Sequence, residues 1–381
     1  MFVLDDRNVF TYLVNQKILR KEECIEYQAL PLDGKNFSLA VEPISRKTDR
    51  RSLIVKQTPI AEADDDEPFL GDRLLNQLLN QFQPLQPLQN YVVMLESYDG
   101  ANRIIIAEFL ADYQDLAAYY TETAQFDPAV GWQVGTVLAQ FHRSSIDQPA
   151  YARFLAAQDA DLIDPEPPEH WGEVPALTPE DFSQRRQDAF EFFRLYQNDR
   201  VLQQAIAQLQ ATWQSCCLTH QDLRLANWLI HRTDQRQPPR LIDWELLLWG
   251  DPLADVGNLL AEYLLCWLES LDPQPGLPLA VVLQQAAVPL EKLQPSLRAI
   301  VTAYRQEFPE VTQRYDDWLT LMLGWTGRAL LSTIQVHLEY YQPFDRCQRI
   351  IYQVAKQLIC QPQVAVVELF GADGLAGVTA D

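Results

Sequence analysis

The chain is poor in positive charge, and that shortage narrows what it can bind. Its 381 residues hold 30 Lys and Arg against 52 Asp and Glu, a formal charge of −22. A surface of that sign repels nucleic-acid backbone and anionic membrane, so no nucleic acid and no membrane is expected as a partner; a cationic molecule would be attracted. Cysteine is sparse too. Cys24, Cys216, Cys217, Cys266, Cys347 and Cys360 are dispersed with no CxxC, which argues against a disulfide framework or a zinc site and for reduced thiols in a cytoplasmic protein. The first residues, Met1-Phe2-Val3-Leu4-Asp5-Asp6, carry early acids and no basic-then-apolar segment, so no secretory signal is expected. No long apolar run exists either: the richest stretch, 246–268, is broken by Asp251, Asp255 and Glu262, which excludes a membrane span. Internal repeats are absent. What remains is a chain with 48% hydrophobic residues, ample for a large core and too long for one core, so two domains are expected.

Taken in order, Asp5 or Asp6 can cap a first helix with Val9, Phe10, Leu13, Val14 and Ile18 inward. The runs Cys24 to Leu32 and Phe37 to Val41 flank Asp33-Gly34-Lys35-Asn36, a hairpin signal. A basic turn over 45–51 precedes the short strand Ser52 to Gln57, which ends near Lys56. The acids Glu62 to Glu67 lead into a helical pattern of Phe69, Leu74, Leu75, Leu78, Leu79 and Phe82, stopped by Pro84 and Pro87. Tyr91 to Leu95 and Arg103 to Ala107 read as strands joined across Asp99-Gly100. Beyond residue 111 the chain reads as helical. Asp127-Pro128 starts a helix with Val130, Val134, Val137, Leu138 and Phe141 inward, and His142 at its end reads as structural. The stretch 145–178, with its acidic prolines, cannot be continuous regular structure, and Thr178 caps the next helix. Val256, Leu259, Leu260, Tyr263, Leu264, Trp267 and Leu268 form a buried helix face, and further helices are expected at about 279–291, 295–308, 310–341 and 344–361. The end, 362–381, lacks periodicity and is expected to be loose.

The chemistry concentrates between Leu218 and Asp255. His220-Gln221-Asp222 is followed by Asn227, five residues after Asp222, and then by Asp243 at the end of a short apolar run. An Asp, an Asn five residues on and a second Asp beyond a hairpin are the acid/base and metal set of phosphoryl transfer: one carboxylate orients and deprotonates a hydroxyl, while an amide oxygen and a second carboxylate suit Mg²⁺.

These blocks, with Ile242-Asp243-Trp244-Glu245 and Trp249-Gly250-Asp251-Pro252-Leu253-Ala254-Asp255, resemble the aminoglycoside phosphotransferase and choline kinase-like family, directly over 218–255 and more weakly from about 20 to about 340. The resemblance implies an α+β, two-lobed, protein-kinase-like fold: a small β-rich nucleotide-binding lobe over 1–110 and a large, mainly helical catalytic and acceptor lobe over 111–361. It implies ATP or GTP as donor with Mg²⁺. Asp222 would be the base, Asn227 and Asp243 the metal ligands, and Lys56 the cation on the α- and β-phosphates, held by Glu67 or Asp72. Gly34 and Asn36 lie on the loop that would cover the phosphates, and Glu108, Phe109 and Leu110 on the hinge that would meet the base. His220 and Asp255 resemble residues that brace the catalytic loop; Glu245 is a further metal ligand or a bystander, and Asp251 a turn cap. Two departures stand out. Gln221 replaces the family's usual Gly, and Arg224 stands where relatives often have His and protein kinases a Lys, so it could bring charge to the γ-phosphate. The acceptor implied is a small hydroxyl-bearing molecule, cationic given the surface charge. Two other readings are a Ser/Thr kinase of a ribosomal precursor peptide working beside a partner lyase, and a pseudokinase serving as a binding subunit.

Overall fold

The computed structural model describes residues 2–371 apart from 33–36, 46–49, 59–68, 172–173, 175–176, 178–184 and 275. Gly34, Asn36, Glu67, the centre of the basic turn, the Thr178 cap and 372–381 therefore lie outside the described residues. The chain divides into two compact units. The first is Met1–Gln114 with Leu229–Leu247, the second Asp115–Trp228 with Leu248–Asp381.

The first unit is built on five antiparallel strands: β1 (Tyr27–Leu32), β2 (Phe37–Pro43), β3 (Leu53–Gln57), β4 (Leu95–Asp99) and β5 (Ile104–Glu108), in the order β1-β2-β3-β5-β4. Alternation explains which face is buried. Leu39 and Val41, Leu53 and Val55, Ile104 and Ile106 point into one cluster with Val9, Tyr12 and Leu13 of the helix Val9–Asn15. That helix is entered through an Asp5 carboxylate, which accepts the Arg7 and Asn8 amides at 3.0 and 2.7 Å. The Asp99-Gly100 hairpin forms as expected, with Asp99 opposite Ile104. The strand before it begins only at Leu95, where the apolar run 91–95 ends: Gln83–Tyr91 is a 3₁₀ stretch burying Leu85 and Leu88, and Val92 makes one isolated parallel bridge, to Leu241. The helix Leu70–Gln81 buries Leu74, Leu75, Leu78 and Leu79.

In the second unit, helices surround a two-stranded ribbon in which Cys217, Leu218 and Thr219 pair with Gly250, Trp249 and Leu248. Asp127 caps the helix Pro128–Ser145 by accepting the Ala129 amide at 2.8 Å. This helix packs along Leu290–Glu307, and Gly131 permits the approach, since a Cβ there would lie 2.8 Å from the Ser296 carbonyl oxygen. The helix Pro252–Leu268 packs on Trp318–Glu339. Asp251 caps it, accepting the Leu253 amide at 2.8 Å.

Four helix boundaries differ from expectation. The helix at 279–291 is only Leu279–Gln284; Pro289, which disfavours helical geometry at Val288, keeps it from running on to 291. The next begins at Leu290 rather than 295 and carries Pro295 inside; burial of Leu293, Leu297 and Ile300 outweighs the one lost backbone bond. The stretch 310–341 breaks at extended Tyr315 into Glu310–Arg314 and Trp318–Glu339. The end expected to be loose from 362 starts as a helix, Pro362–Phe370, with Ala365, Val366, Leu369 and Phe370 buried. Among the described residues no helix is long and apolar enough to cross a membrane.

Candidate active site

Two groups of polar side chains are assembled, one in each unit. In the first unit, Lys56 stands on β3 opposite Ser38 and Ile105. Its Nζ donates to Asp243 Oδ1 at 3.0 Å. Burial works against the lysine's charge, but the carboxylates of Asp243 and Asp72 more than offset it and hold the ammonium above its ordinary value. Asp72, in the first turn of Leu70–Gln81, takes the Trp244 amide on Oδ1 at 3.2 Å. Its Oδ2 is enclosed and has no hydrogen-bond partner among the described residues. Burial pushes this carboxyl up to about 6, with Lys56 pulling it down and Asp243 and Glu245 adding to the rise. Of the two acids expected to hold Lys56, Asp72 is thus in place and Glu67 lies outside the described residues. Asp243 itself has φ +65, a left-handed backbone that costs a residue with a Cβ and recurs at functional sites.

The residues expected to form a hinge are engaged within the unit. The Phe109 amide donates to Ser52 O, while the Phe109 and Leu110 carbonyls accept the Ala111 and Tyr113 amides. Glu108 ends β5 exposed.

In the second unit the loop after Thr219 is held from below by one helix. Asp255, fully buried, accepts the His220 and Gln221 amides at 2.6 and 2.8 Å. Asn258 Oδ1 takes the Leu223 amide at 2.6 Å, and Glu262 Oε2 the Leu225 amide at 3.1 Å. Positions 255, 258 and 262 share one helical face, so a single helix clamps three successive stretches of loop backbone. His142 sits behind Asp255, 3.3 Å from its Oδ2, with its other ring nitrogen 2.7 Å from the Tyr304 hydroxyl. His220 Nδ1 accepts the Asp222 amide at 3.2 Å, which places the proton of a neutral ring on Nε2.

On this frame stand Asp222, Arg224 and Asn227. Arg224 Nε lies 2.9 Å from both Asp222 carboxylate oxygens, and its Nη2 is 2.8 Å from Oδ2. Asn227 Nδ2 donates to the Asp222 carbonyl at 2.8 Å and to its Oδ2 at 3.1 Å. The amide hydrogens are thereby spent on Asp222, and the hard oxygen is turned elsewhere.

Beside this group, within the same unit, lies a cavity of about 590 Å³ lined by Tyr120, Phe126, Leu225, Glu262, Cys266 and Glu269, among others. Burial lifts the Glu262 carboxyl to about 7; the Leu225 amide opposes the rise and the nearby Asp222 charge adds to it.

A family model described as the phosphotransferase enzyme family matches residues 44–280, more than half of the chain. The chain belongs to that family. The phosphotransferase shares its fold with a choline kinase from Cryptosporidium parvum, with a TM-score of 0.53 at 12% identity, covering 97% of this chain and 100% of that one. The choline kinase LicA of Streptococcus pneumoniae (TM-score 0.43, 13% identity, 92% and 99% covered) and the streptomycin-ATP-APH(2")-IIa ternary complex (0.41, 15%, 94% and 99%) are more distant in shape. No curated protein matches it in sequence. The expected α+β kinase-like fold is therefore what this phosphotransferase has, with its antiparallel sheet in the first unit and a helical second unit.

Asn258 and Glu262 went unnoticed in the sequence. A signal for them existed: with Asp255 they form a polar stripe on a helix that is otherwise apolar.

Proposed function

We propose that this phosphotransferase is a Mg²⁺-dependent kinase that moves the γ-phosphate of ATP or GTP to a hydroxyl of a small cationic acceptor in the cytoplasm. The cavity beside Asp222 carries the reading. Two carboxylates, Glu262 and Glu269, and two aromatic rings, Tyr120 and Phe126, line it together with Leu225 of the catalytic loop. The two acids would favour a protonated or quaternary amine by charge, and the aromatic side chains supply apolar wall for its carbon groups.

Asp222 would take the acceptor hydroxyl's proton, its carboxylate held by Asn227 and Arg224 and its loop fixed by the backbone amides that donate to Asp255, Asn258 and Glu262. Lys56 would pair with the α- and β-phosphates. Arg224 would share its guanidinium between Asp222 and the transferred phosphoryl group. Magnesium fits the donor chemistry. The ion keeps several waters and takes one or two carboxylates plus substrate phosphates, so the Asp243 carboxylate and the Asn227 oxygen are each a ligand of the kind that would hold it. When bound, the ion supplies charge neutralisation on the phosphates.

The test is a phosphate-transfer screen of small cationic alcohols, neutral alcohols and Ser/Thr peptides with ATP and GTP. Transfer to a cationic alcohol that Asp243→Ala abolishes, with the fold retained by circular dichroism, is the expected result. Transfer to peptides alone would replace the acceptor class, and nucleotide binding without transfer to anything would point to a binding subunit.

A further inference from the structure

The family pattern has Gly where this chain has Gln221, and the backbone there explains the Gly: φ is +67, left-handed, immediately before Asp222. A residue with a Cβ stays in that conformation only if its surroundings hold it. Gln221 is held at three points. Its amide nitrogen donates to Asp255 Oδ1. Its side-chain Nε2 donates to Thr219 Oγ1 at 2.7 Å, and that hydroxyl donates on to Leu248 O at 3.0 Å. Its Oε1 accepts the indole N–H of Trp171 at 2.6 Å. An indole can only donate, so the orientation of the Gln amide is fixed by the tryptophan. Gly250 leaves room for that amide: a Cβ there would come within 2.6 Å of Thr219 Oγ1 and 3.0 Å of Gln221 Nε2.

Trp171 comes from the acidic, proline-rich stretch outside the catalytic motifs. It is 1% exposed and meets Trp325 edge-on at 5.6 Å, as Trp213 does from another side. The ring is therefore buried against Trp325, and Gln221 is anchored to a residue outside the loop itself.

We infer that Trp171 is a positioning residue for Asp222, acting through Gln221 to hold the left-handed turn that a glycine adopts without help. This rests on Asp222 being the base of the proposed kinase reaction. The experiment is a double-mutant cycle of Trp171→Phe and Gln221→Gly, read by kcat and nucleotide KM for transfer, and by hydrogen exchange of the 217–228 amides. Trp171→Phe removes the donor and keeps most of the ring. It should lower kcat about tenfold at unchanged nucleotide KM, within what a small misplacement of a reacting group costs. It should also speed exchange in 217–228 while leaving 128–145 unaffected. In the Gln221→Gly background the same change should add less than about twofold, since coupled residues lose their effect together. Gln221→Met, which keeps the Cβ and loses both anchors, should be slower than Gln221→Gly; a purely space-filling role gives the reverse order. Equal effects of Trp171→Phe in both backgrounds, or unchanged loop exchange, would overturn the inference. If the wild type transfers no phosphate to any acceptor, the functional reading fails, and exchange across the same cycle still decides the role of Trp171.

Discussion

Asp222 is tied on two sides, by the Arg224 guanidinium and the Asn227 amide, and those ties set what its replacement should do. Asp222→Asn keeps the size, gives up the charge pair with Arg224 and cannot accept a proton. It is expected to leave nucleotide affinity near wild type while lowering the transfer rate by about 10²- to 10⁴-fold, the usual worth of a placed general base, as steady-state kinetics would show. Glu262 gives a second test, through pH. Its carboxyl, raised to about 7, is neutral below that pH and charged above it, and the charges that act on it are Asp222, Arg224 and Glu269. A cationic acceptor binds the charged form, so 1/KM for that acceptor should rise as pH rises through about 7, with the midpoint moving lower when the acceptor is bound. Glu262→Gln should flatten the rise. Stability runs the other way: a carboxyl raised in the folded state contributes stability that is complete below its ordinary value near 4.5 and lost as pH climbs through about 7. The Gln variant should therefore unfold at higher denaturant than wild type at pH 8. Asp222, Asn227 and Asp243 could be picked out from sequence because their spacing along one chain carries their chemistry. The role of Glu262 was less legible: the polar stripe marks its place on the helix, but its partner is the Leu225 backbone, 37 positions away.

At the level of elements, periodicity and caps were the more readable part. Asp127 caps the helix whose start it marks, while Asp251, expected to cap a turn, caps the helix Pro252–Leu268. Breaks were less readable. Nothing in the apolar spacing of 310–341 marks the extended Tyr315, and of the apolar run 91–95 only Leu95 enters the strand, with Tyr91 ending a 3₁₀ stretch and Val92 in a lone bridge. Tertiary packing decided these places, and local pattern carries little of it. One packing contact bears directly on the Lys56 group. In Leu70–Gln81, a Cβ on Gly71 would fall well inside contact distance of the Trp244 carbonyl oxygen and 3.1 Å from Leu247 Cβ. Gly→Ala within a helix ordinarily gains about 1 kcal/mol. Here the backbone of Trp244 stands in the way, and overpacking of that kind costs about 1–3 kcal/mol, so the loss outweighs the gain. Gly71→Ala is expected to lower the urea midpoint and, by displacing Trp244 and its neighbour Asp243, to raise the nucleotide KM. A variant more stable than wild type would show that the loop yields freely.

For the whole molecule the governing quantity is the charge of −22, spread over a chain that belongs to a phosphotransferase family. Under the proposed reaction, net negative charge would hinder an anionic nucleotide and help a cationic acceptor. For the first, a local cation is at hand: Lys56 is held charged by Asp243 and Asp72. The second leaves a trace that salt can expose. Attraction acting over more than the Debye length, about 8 Å at physiological ionic strength, is screened, whereas contact with Glu262 inside a cavity is screened much less. For a cationic alcohol, kcat/KM should thus fall several-fold between about 20 and 300 mM salt, mostly through the association step, while a neutral alcohol of the same size shows a flat profile. Glu262→Gln should lower kcat/KM for the cation at every salt concentration yet leave most of the salt slope, because one charge of a field carried by 52 acids has been removed. Parallel salt slopes for cationic and neutral alcohols would mean that the surface charge does not steer the acceptor. A slope that vanishes in Glu262→Gln would place the whole attraction in the cavity itself.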